Sequence, residues 1–143
     1  MNPDSSSPDE SNSVVPTGNE RILVVDDDPL VLKVSEETLK YLGYDVVSCA
    51  SGIEALKTFR QDPDSFQLVI LDQMMPKMTG DVVAEQLVEV RSDIPIILCS
   101  GDAPQLSEER LQQVGIRGYL KKPVPLEEYA HAVRRALDET SAP

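Results

Sequence analysis

The stretch Leu68-Val69-Ile70-Leu71-Asp72, followed at once by Gln73-Met74-Met75-Pro76, constrains the fold more than any other. Four consecutive apolar residues, two of them β-branched, read as a strand buried on both faces, the pattern of a central strand in a parallel sheet. That strand ends on a carboxylate. Pro76 cannot continue a ladder and biases Met75 to an extended conformation, so the chain must turn just after Asp72. Asp72 is thereby expected at the carboxyl edge of a sheet, where open α/β folds place their chemistry.

A second run, Ile22-Leu23-Val24-Val25, repeats the pattern and ends in Asp26-Asp27-Asp28-Pro29. From Pro29 to Leu42 the residues Leu30, Val31, Val34, Thr38 and Leu42 recur at helical spacing, which predicts a helix with those side chains inward. Asp28 is its expected N-cap, Pro29 its first residue and Gly43 its stop. Tyr44 to Ala50 reads as a strand nearer the edge. Ser51 is expected to cap a helix from Gly52 to about Gln61 with Ile53, Leu56 and Phe59 inward, and Asp62-Pro63-Asp64-Ser65 is a turn cluster. After the strand ending at Asp72, a helix is expected from about Asp81 to Val90 with a stripe of Val83, Leu87 and Val90. Pro95 to Ser100 is a fourth buried strand, and Ala103 to Val114 a polar helix with Leu106, Leu111 and Val114 on one side. Gly118-Tyr119-Leu120 is a short fifth strand running into Lys121-Lys122-Pro123. Leu126 to Leu137 is a last helix with Leu126, Tyr129, Val133 and Leu137 inward.

Strict β-α alternation with five strands and five helices predicts a parallel sheet with helices on both faces, joined by right-handed crossovers. The 143 residues make room for one domain of ordinary size. With no Trp, two Phe and four Tyr, aliphatic residues must fill its core. Residues 1–20 carry no Lys or Arg and are rich in Ser, Pro and acidic residues, which reads as a disordered tail or linker. The alternative is that Val14-Val15 docks on the domain. The domain is expected over 21–138, with 139–143 fraying.

The formal net charge of −12 argues against binding nucleic acid through its phosphates, which requires a basic face, and against anionic membrane surfaces. The N-terminus has no basic segment followed by an apolar one, and no apolar run is long enough to span a bilayer, so the expected location is cytoplasmic. Cys49 and Cys99 fall on the second and fourth strands. In a sheet of order 2-1-3-4-5 these are three positions apart, roughly 14 Å at about 4.8 Å per strand, too far for a disulfide. Two free, core-like thiols fit a reducing compartment.

Parallel strands bring their carboxyl ends to one edge, so Asp26, Asp27, Asp72, Ser100 and Lys122 are expected to meet. Carboxylates this close repel one another and call for a cation, and oxygen ligands with room for water suit Mg²⁺, or Mn²⁺ in its place, better than Zn²⁺. Asp28 remains a helix cap, His131 a surface residue and Lys121 a solvated neighbour of Lys122.

These motifs together resemble a receiver domain of the two-component response regulator family, whose fold is a flavodoxin-like (βα)5 unit with a sheet of order 2-1-3-4-5. The resemblance rests on Val24-Val25-Asp26-Asp27-Asp28-Pro29, on Leu71-Asp72-Gln73-Met74-Met75-Pro76 through Thr79-Gly80, on Ile97-Leu98-Cys99-Ser100-Gly101 and on Gly118-Tyr119-Leu120-Lys121-Lys122-Pro123. It implies that Asp72 accepts a phosphoryl group from a phosphohistidine on a histidine kinase or histidine phosphotransfer protein, and that the chain is no enzyme beyond its own Asp phosphorylation and dephosphorylation. It implies a Mg²⁺ held by Asp27 directly, by Asp26 through water, by Asp72 and by the Met74 backbone carbonyl, with Lys122 on the phosphoryl group. Ser100 and Tyr119 are implied as the switch pair, reporting through the face of the fourth helix, fifth strand and fifth helix to a downstream protein target. Met74 and Asp102 are implied as positions that tune dephosphorylation, and the oligomeric state as monomer or phosphorylation-dependent dimer.

Two rivals explain less. A haloacid-dehalogenase-type phosphatase accounts for Asp26-Asp27-Asp28 as Asp-x-Asp, but needs a later paired acidic motif and usually a cap domain. A receiver that binds without being phosphorylated leaves the full residue set unused. With no room for a DNA-binding output domain after Leu137, the expectation is a single-domain regulator or a receiver excised from a hybrid histidine kinase, whose linker residues 1–20 then supply.

Overall fold

The structure is a computed structural model that describes residues 15–101 and 106–141. Its elements are β1 (Arg21–Val25), α1 (Pro29–Tyr41), β2 (Asp45–Cys49), α2 (Gly52–Gln61), a 3₁₀ turn (Pro63–Ser65), β3 (Leu68–Asp72), α3 (Gly80–Val90), β4 (Ile96–Ser100), α4 (Glu108–Gln113), β5 (Ile116–Lys121) and α5 (Leu126–Ser141). All five strands are parallel, in the order β2-β1-β3-β4-β5, as the alternation requires.

Side-chain alternation along the strands divides the core in two. Leu23, Val25, Val69, Leu71, Ile96 and Leu98 point to a layer closed by α2, α3 and α4 through Leu56, Phe59, Val83, Leu87 and Val114. Ile22, Val24, Leu68, Ile70, Ile97 and Leu120 point to a layer closed by α1 and α5 through Leu39, Leu42, Tyr129 and Val133. Because both faces are covered, β1, β3 and β4 need no polar face, which is why they read as unbroken apolar runs. Cys49 and Cys99 are buried free thiols.

Helix ends follow the expected chemistry. The Asp28 carboxylate accepts from the Leu30 and Val31 amides, and Ser51 accepts from Glu54 N. Gly43 stops α1 at φ 103°, where an L side chain would be strained.

Several expectations are corrected. Leu30 and Val34 are 73% and 57% exposed; Leu42 is buried as expected, but α1 turns Leu32, Ser35 and Leu39 inward with it. Apolar residues at 30, 31, 32 and 34 offered two overlapping stripes, and the longer Leu39–Leu42 end settles which one packs. Ile53, Val90 and Leu126 are likewise on exposed edges of their helices. The expected helix Ala103–Val114 is described only as Glu108–Gln113, capped by Ser107; residues 102–105 lie outside the described residues. β5 begins earlier than Gly118, because Ile96 pairs with Ile116 and Ile97 with Gly118, which inserts Arg117 as a bulge. The last helix runs past Leu137 to Ser141.

Of residues 1–20, the first fourteen lie outside the described residues. The remainder is packed: Val15 sits against the α1/α5 layer, Gly18 N donates to Leu42 O, and Arg134 of α5 bonds Thr17 O and the Glu20 carboxylate. The ion pair with Arg134 holds the Glu20 carboxyl below the usual range.

Phe59 and Phe66, the only phenylalanines, stack with centroids 5.9 Å apart in the interior. Phe59→Ala is expected to lower the unfolding free energy by about 3–5 kcal/mol, whereas Tyr41→Ala, at a ring 75% exposed, should change it by less than about 0.5 kcal/mol. Urea unfolding followed by circular dichroism measures both; equal effects would contradict the packing described.

Candidate functional site

Strand register builds the site. Val25 pairs with Leu71, so the next residues, Asp26 and Asp72, leave the β1 and β3 ends side by side and continue the parity that points to the α1/α5 layer. Cys99 pairs with Asp72 and Ser100 with Lys121, which brings the ends of β4 and β5 to the same edge. The backbone extends the ladders into the loops: Asp26 N donates to Cys49 O, Gln73 N to Cys99 O and Lys122 N to Ser100 O.

The Lys122 ammonium lies between two carboxylates, 2.7 Å from Asp26 Oδ2 and 3.1 Å from Asp72 Oδ1. Both carboxylates are about 95% shielded from solvent, so this pairing offsets a desolvation that neither would otherwise withstand. Asp26 Oδ1 also accepts from Asp28 N, and Asp72 Oδ1 from Met74 N. Burial, and the neighbouring Asp26 charge, push the Asp72 carboxyl up against the pull of Lys122. Burial opposes the charge on Lys122, but its bonds to Asp26 and Asp72 prevail and raise its pKa.

Asp27 stands exposed beside this pair, and one carboxylate oxygen from each of Asp26, Asp27 and Asp72 lies within 4.8 Å of the others. An all-oxygen donor set, two members buried and one open to water, fits a small hard dication that keeps part of its hydration shell. Ser100 is buried at the end of β4, and among the described residues nothing lies within 4 Å of where a Cβ at Gly101 would stand. Tyr119 is half-buried on β5 opposite Leu98, packed on the α2–α4 layer. Lys121 and His131 are exposed; Asp102 lies outside the described residues. Asp26, Asp27, Asp72, Ser100 and Lys122 thus gather at one sheet edge, Tyr119 lies three positions before Lys122, and Met74 is exposed with its amide on Asp72 Oδ1.

An apolar cavity of about 410 Å³ opens from Asp26, Asp72 and Lys122 between α1 and α5, lined by Leu30, Val31 and Val34 among others. Sequence reasoning missed it by turning Leu30 and Val34 inward. It also missed Gln73, Asp81 and Arg110, which form a bonded chain behind Asp72. Its one sequence signal is a polar residue at each end of the Gln73–Asp81 loop.

The family described as "Response regulator receiver domain" matches residues 22–134. The chain belongs to the response regulator receiver family. It is 37% identical over 123 residues to the two-component response regulator ARR11 of Arabidopsis thaliana, covering 83% of this chain and 23% of that protein. It is 41% identical over 119 residues to the two-component response regulator ORR22 of rice, covering 80% and 17%. The chain therefore spans about a quarter or less of these relatives. Among solved structures it resembles a CheY-like receiver domain protein of Methanospirillum hungatei (TM-score 0.79, 28% identity, 86% of this chain and 97% of that one). It also resembles chemotaxis protein CheY4 of Vibrio cholerae (TM-score 0.77, 27% identity, 84% and 100%). Receiver domains are signalling domains, generally non-enzymatic, that bind Mg²⁺ at an acidic pocket, and a cluster of three Asp carboxylates is present here. The haloacid dehalogenase alternative falls with this assignment. Among the described residues no helix is long and apolar enough to cross a membrane.

Because folding raises the Asp72 pKa, the folded state binds a proton there more readily than the unfolded chain does, and this contribution to stability is lost as pH rises above the ordinary carboxylate range. Asp72→Asn, free of that charge, is expected to melt higher than wild type at pH 7 in EDTA, with the difference shrinking as pH falls towards 4. Melting curves across that range check it; a lower midpoint for Asp72→Asn at pH 7 would contradict the electrostatic account.

Proposed function

We propose that this receiver accepts a phosphoryl group on Asp72 from a phosphohistidine of a histidine kinase or histidine phosphotransfer protein. The observation that carries the reading is the pairing of Asp72 with Lys122 at the shared ends of β3 and β5, beside Asp26 and Asp27. An Asp72 carboxylate oxygen forms the new P–O bond as the P–N bond of the donor breaks, and the imidazole leaves with the electron pair. Lys122, 3.1 Å from Asp72 Oδ1, is placed to neutralise charge on the phosphoryl oxygens. Asp26, Asp27, Asp72 and the Met74 carbonyl would hold Mg²⁺, or Mn²⁺ in its place. When bound, the ion supplies the remaining neutralisation of charge on the transferring group. Apart from its own Asp phosphorylation and dephosphorylation, the domain performs no chemistry.

Ser100 then bonds a phosphoryl oxygen and Tyr119 turns inward, which alters the face formed by α4, β5 and α5 and presents it to a downstream protein target, or to a second copy as a phosphorylation-dependent dimer. Exposed Leu30 and Val34 line the cavity beside Asp26, Asp72 and Lys122, apolar surface that suits contact with a protein phosphodonor. The charge of −12 keeps nucleic acid off this face. The same chemistry serves a cytoplasmic single-domain regulator and a receiver carried in a longer hybrid kinase.

Incubation with acetyl phosphate and Mg²⁺ is expected to add one phosphoryl group by intact mass, absent in EDTA and in Asp72→Asn. Mg²⁺ at a hundred times its dissociation constant should raise the unfolding free energy by about 2.7 kcal/mol, a gain that EDTA abolishes and Asp27→Asn largely removes. An adduct that survives in Asp72→Asn would assign the wrong nucleophile; a folded wild type that takes no phosphoryl group and gains nothing from Mg²⁺ would leave a phosphorylation-independent binding module.

A further inference from the structure

Behind Asp72 lies a second polar system that the phosphoryl chemistry does not use. Gln73 follows the acceptor directly, and its side-chain amide makes a two-way pair with the first turn of α3: Nε2 donates to Asp81 Oδ1 at 2.9 Å, and Asp81 N donates to Oε1 at 2.9 Å. Thr79 Oγ1 donates to the same Oδ1 at 2.6 Å, and Gly80 N donates to Gln73 O. The loop that contains Met74 is therefore closed at its base, with both ends fastened beside the acceptor. The fit is tight: a Cβ at Gly80 would lie 2.7 Å from the Asp72 carbonyl oxygen. Inside the loop Lys77 adopts φ 71°, and Met78 N donates to Pro76 O at 2.7 Å. A non-glycine residue holds such a conformation only where its surroundings over-determine it, and the closed base does so.

The outer oxygen of Asp81 faces away from Gln73 and takes a second partner. Arg110 of α4 reaches it through Nε at 3.2 Å and Nη2 at 3.0 Å, with Nη1 3.4 Å from Glu85. Burial alone would push the Asp81 carboxyl up; bonds from Thr79, Gln73 and Arg110 together hold it below the usual range. Asp81 is thus one buried carboxylate shared between the acceptor loop and a helix of the output face.

We propose that Gln73 and Asp81 are positioning residues that set the acceptor loop, and with it the metal-binding carbonyl of Met74, and that Arg110 fixes α4 to that same loop through Asp81. The claim rests on the reading of Asp72 and Met74 given above. It adds a route by which the state of the loop reaches α4 without passing through Ser100 or Tyr119. Two sites that bias one shared element are coupled reciprocally.

The test compares Gln73→Met, close in volume and without the hydrogen bonds, with Arg110→Met, by Mg²⁺ titration calorimetry and by amide hydrogen exchange. Gln73→Met is expected to weaken Mg²⁺ binding by about tenfold or more, the range seen when a partner of a metal ligand is removed, and to speed exchange across 108–113, which Gln73 does not touch. Arg110→Met should speed exchange across 108–113 to a similar degree and weaken Mg²⁺ binding by a smaller factor than Gln73→Met does. The double variant should exchange there no faster than either single one, since both cut the same chain. Exchange in β1 and β3 should match wild type throughout, which a general loss of stability would not allow. Asp81→Asn, which keeps an acceptor for Gln73 but drops the charge that holds Arg110, reports on the α4 arm should Gln73→Met fail to fold. Unchanged Mg²⁺ affinity in Gln73→Met overturns the positioning role, and unchanged 108–113 exchange in Arg110→Met and Asp81→Asn overturns the tie to α4. A wild type that binds no Mg²⁺ overturns the functional reading and the positioning role with it, while the exchange comparison still decides the tie.

Discussion

Two buried carboxylates that share one ammonium are the constraint on which the rest of the structure depends. Asp26 and Asp72 are brought side by side by the β1–β3 register, a placement that electrostatics alone would oppose, because like charges in a shielded site raise each other's proton affinity. Lys122 satisfies both, and it reaches them only because β5 ends at the same edge two strands away from β3. The sheet must therefore be parallel and in this order for the charges to balance. Remove the order, and the carboxylates remain buried without their cation.

That balance is incomplete, and the imbalance is useful. Burial and Asp26 still push the Asp72 carboxyl up, so the edge retains an appetite for further positive charge. Exposed Asp27 adds a third carboxylate on the solvent side, where a hydrated dication can arrive without displacing Lys122. A site tuned for stability alone would have stopped at one carboxylate per lysine. The adjacent cavity between α1 and α5 is lined by Leu30 and Val34, which remain exposed although Val24 and Ile70 of the strands beneath are buried.

Much of this was legible because strand ends carry meaning in a parallel sheet. Apolar runs at 22–25, 68–71 and 96–99 mark buried strands, and the polar residue that ends each one has little freedom about where it lies. Asp26, Asp72, Ser100 and Lys122 could thus be gathered although Asp26 and Lys122 lie 96 positions apart. The inward face of α1 was not legible, since Leu30, Val31, Leu32 and Val34 are apolar on nearly every side of the first turns, and only tertiary packing at Leu39 and Leu42 chooses among them. The packed stretch from Val15 was obscured in part, for a different reason. Docking of Val14-Val15 was the alternative the sequence offered, and Val15 does pack on the α1/α5 layer; the other anchors, backbone groups of Thr17 and Gly18 and the Glu20–Arg134 ion pair, leave no hydrophobic pattern.

The Gln73–Asp81–Arg110 chain was invisible because each member has an ordinary local explanation. Gln73 reads as a loop residue, Asp81 as an acid favoured in the first turn of a helix, and Arg110 as a surface residue of a polar helix. Their separations of 8 and 29 positions match no secondary-structure period. Yet Asp81 is buried, and a buried carboxylate that merely complemented a helix dipole could have stayed in water at less expense in desolvation. Its two oxygens are instead divided between partners on different elements, Gln73 of the loop after Asp72 and Arg110 of α4. A side chain so divided resists movement of either element alone, and it permits movement of both together.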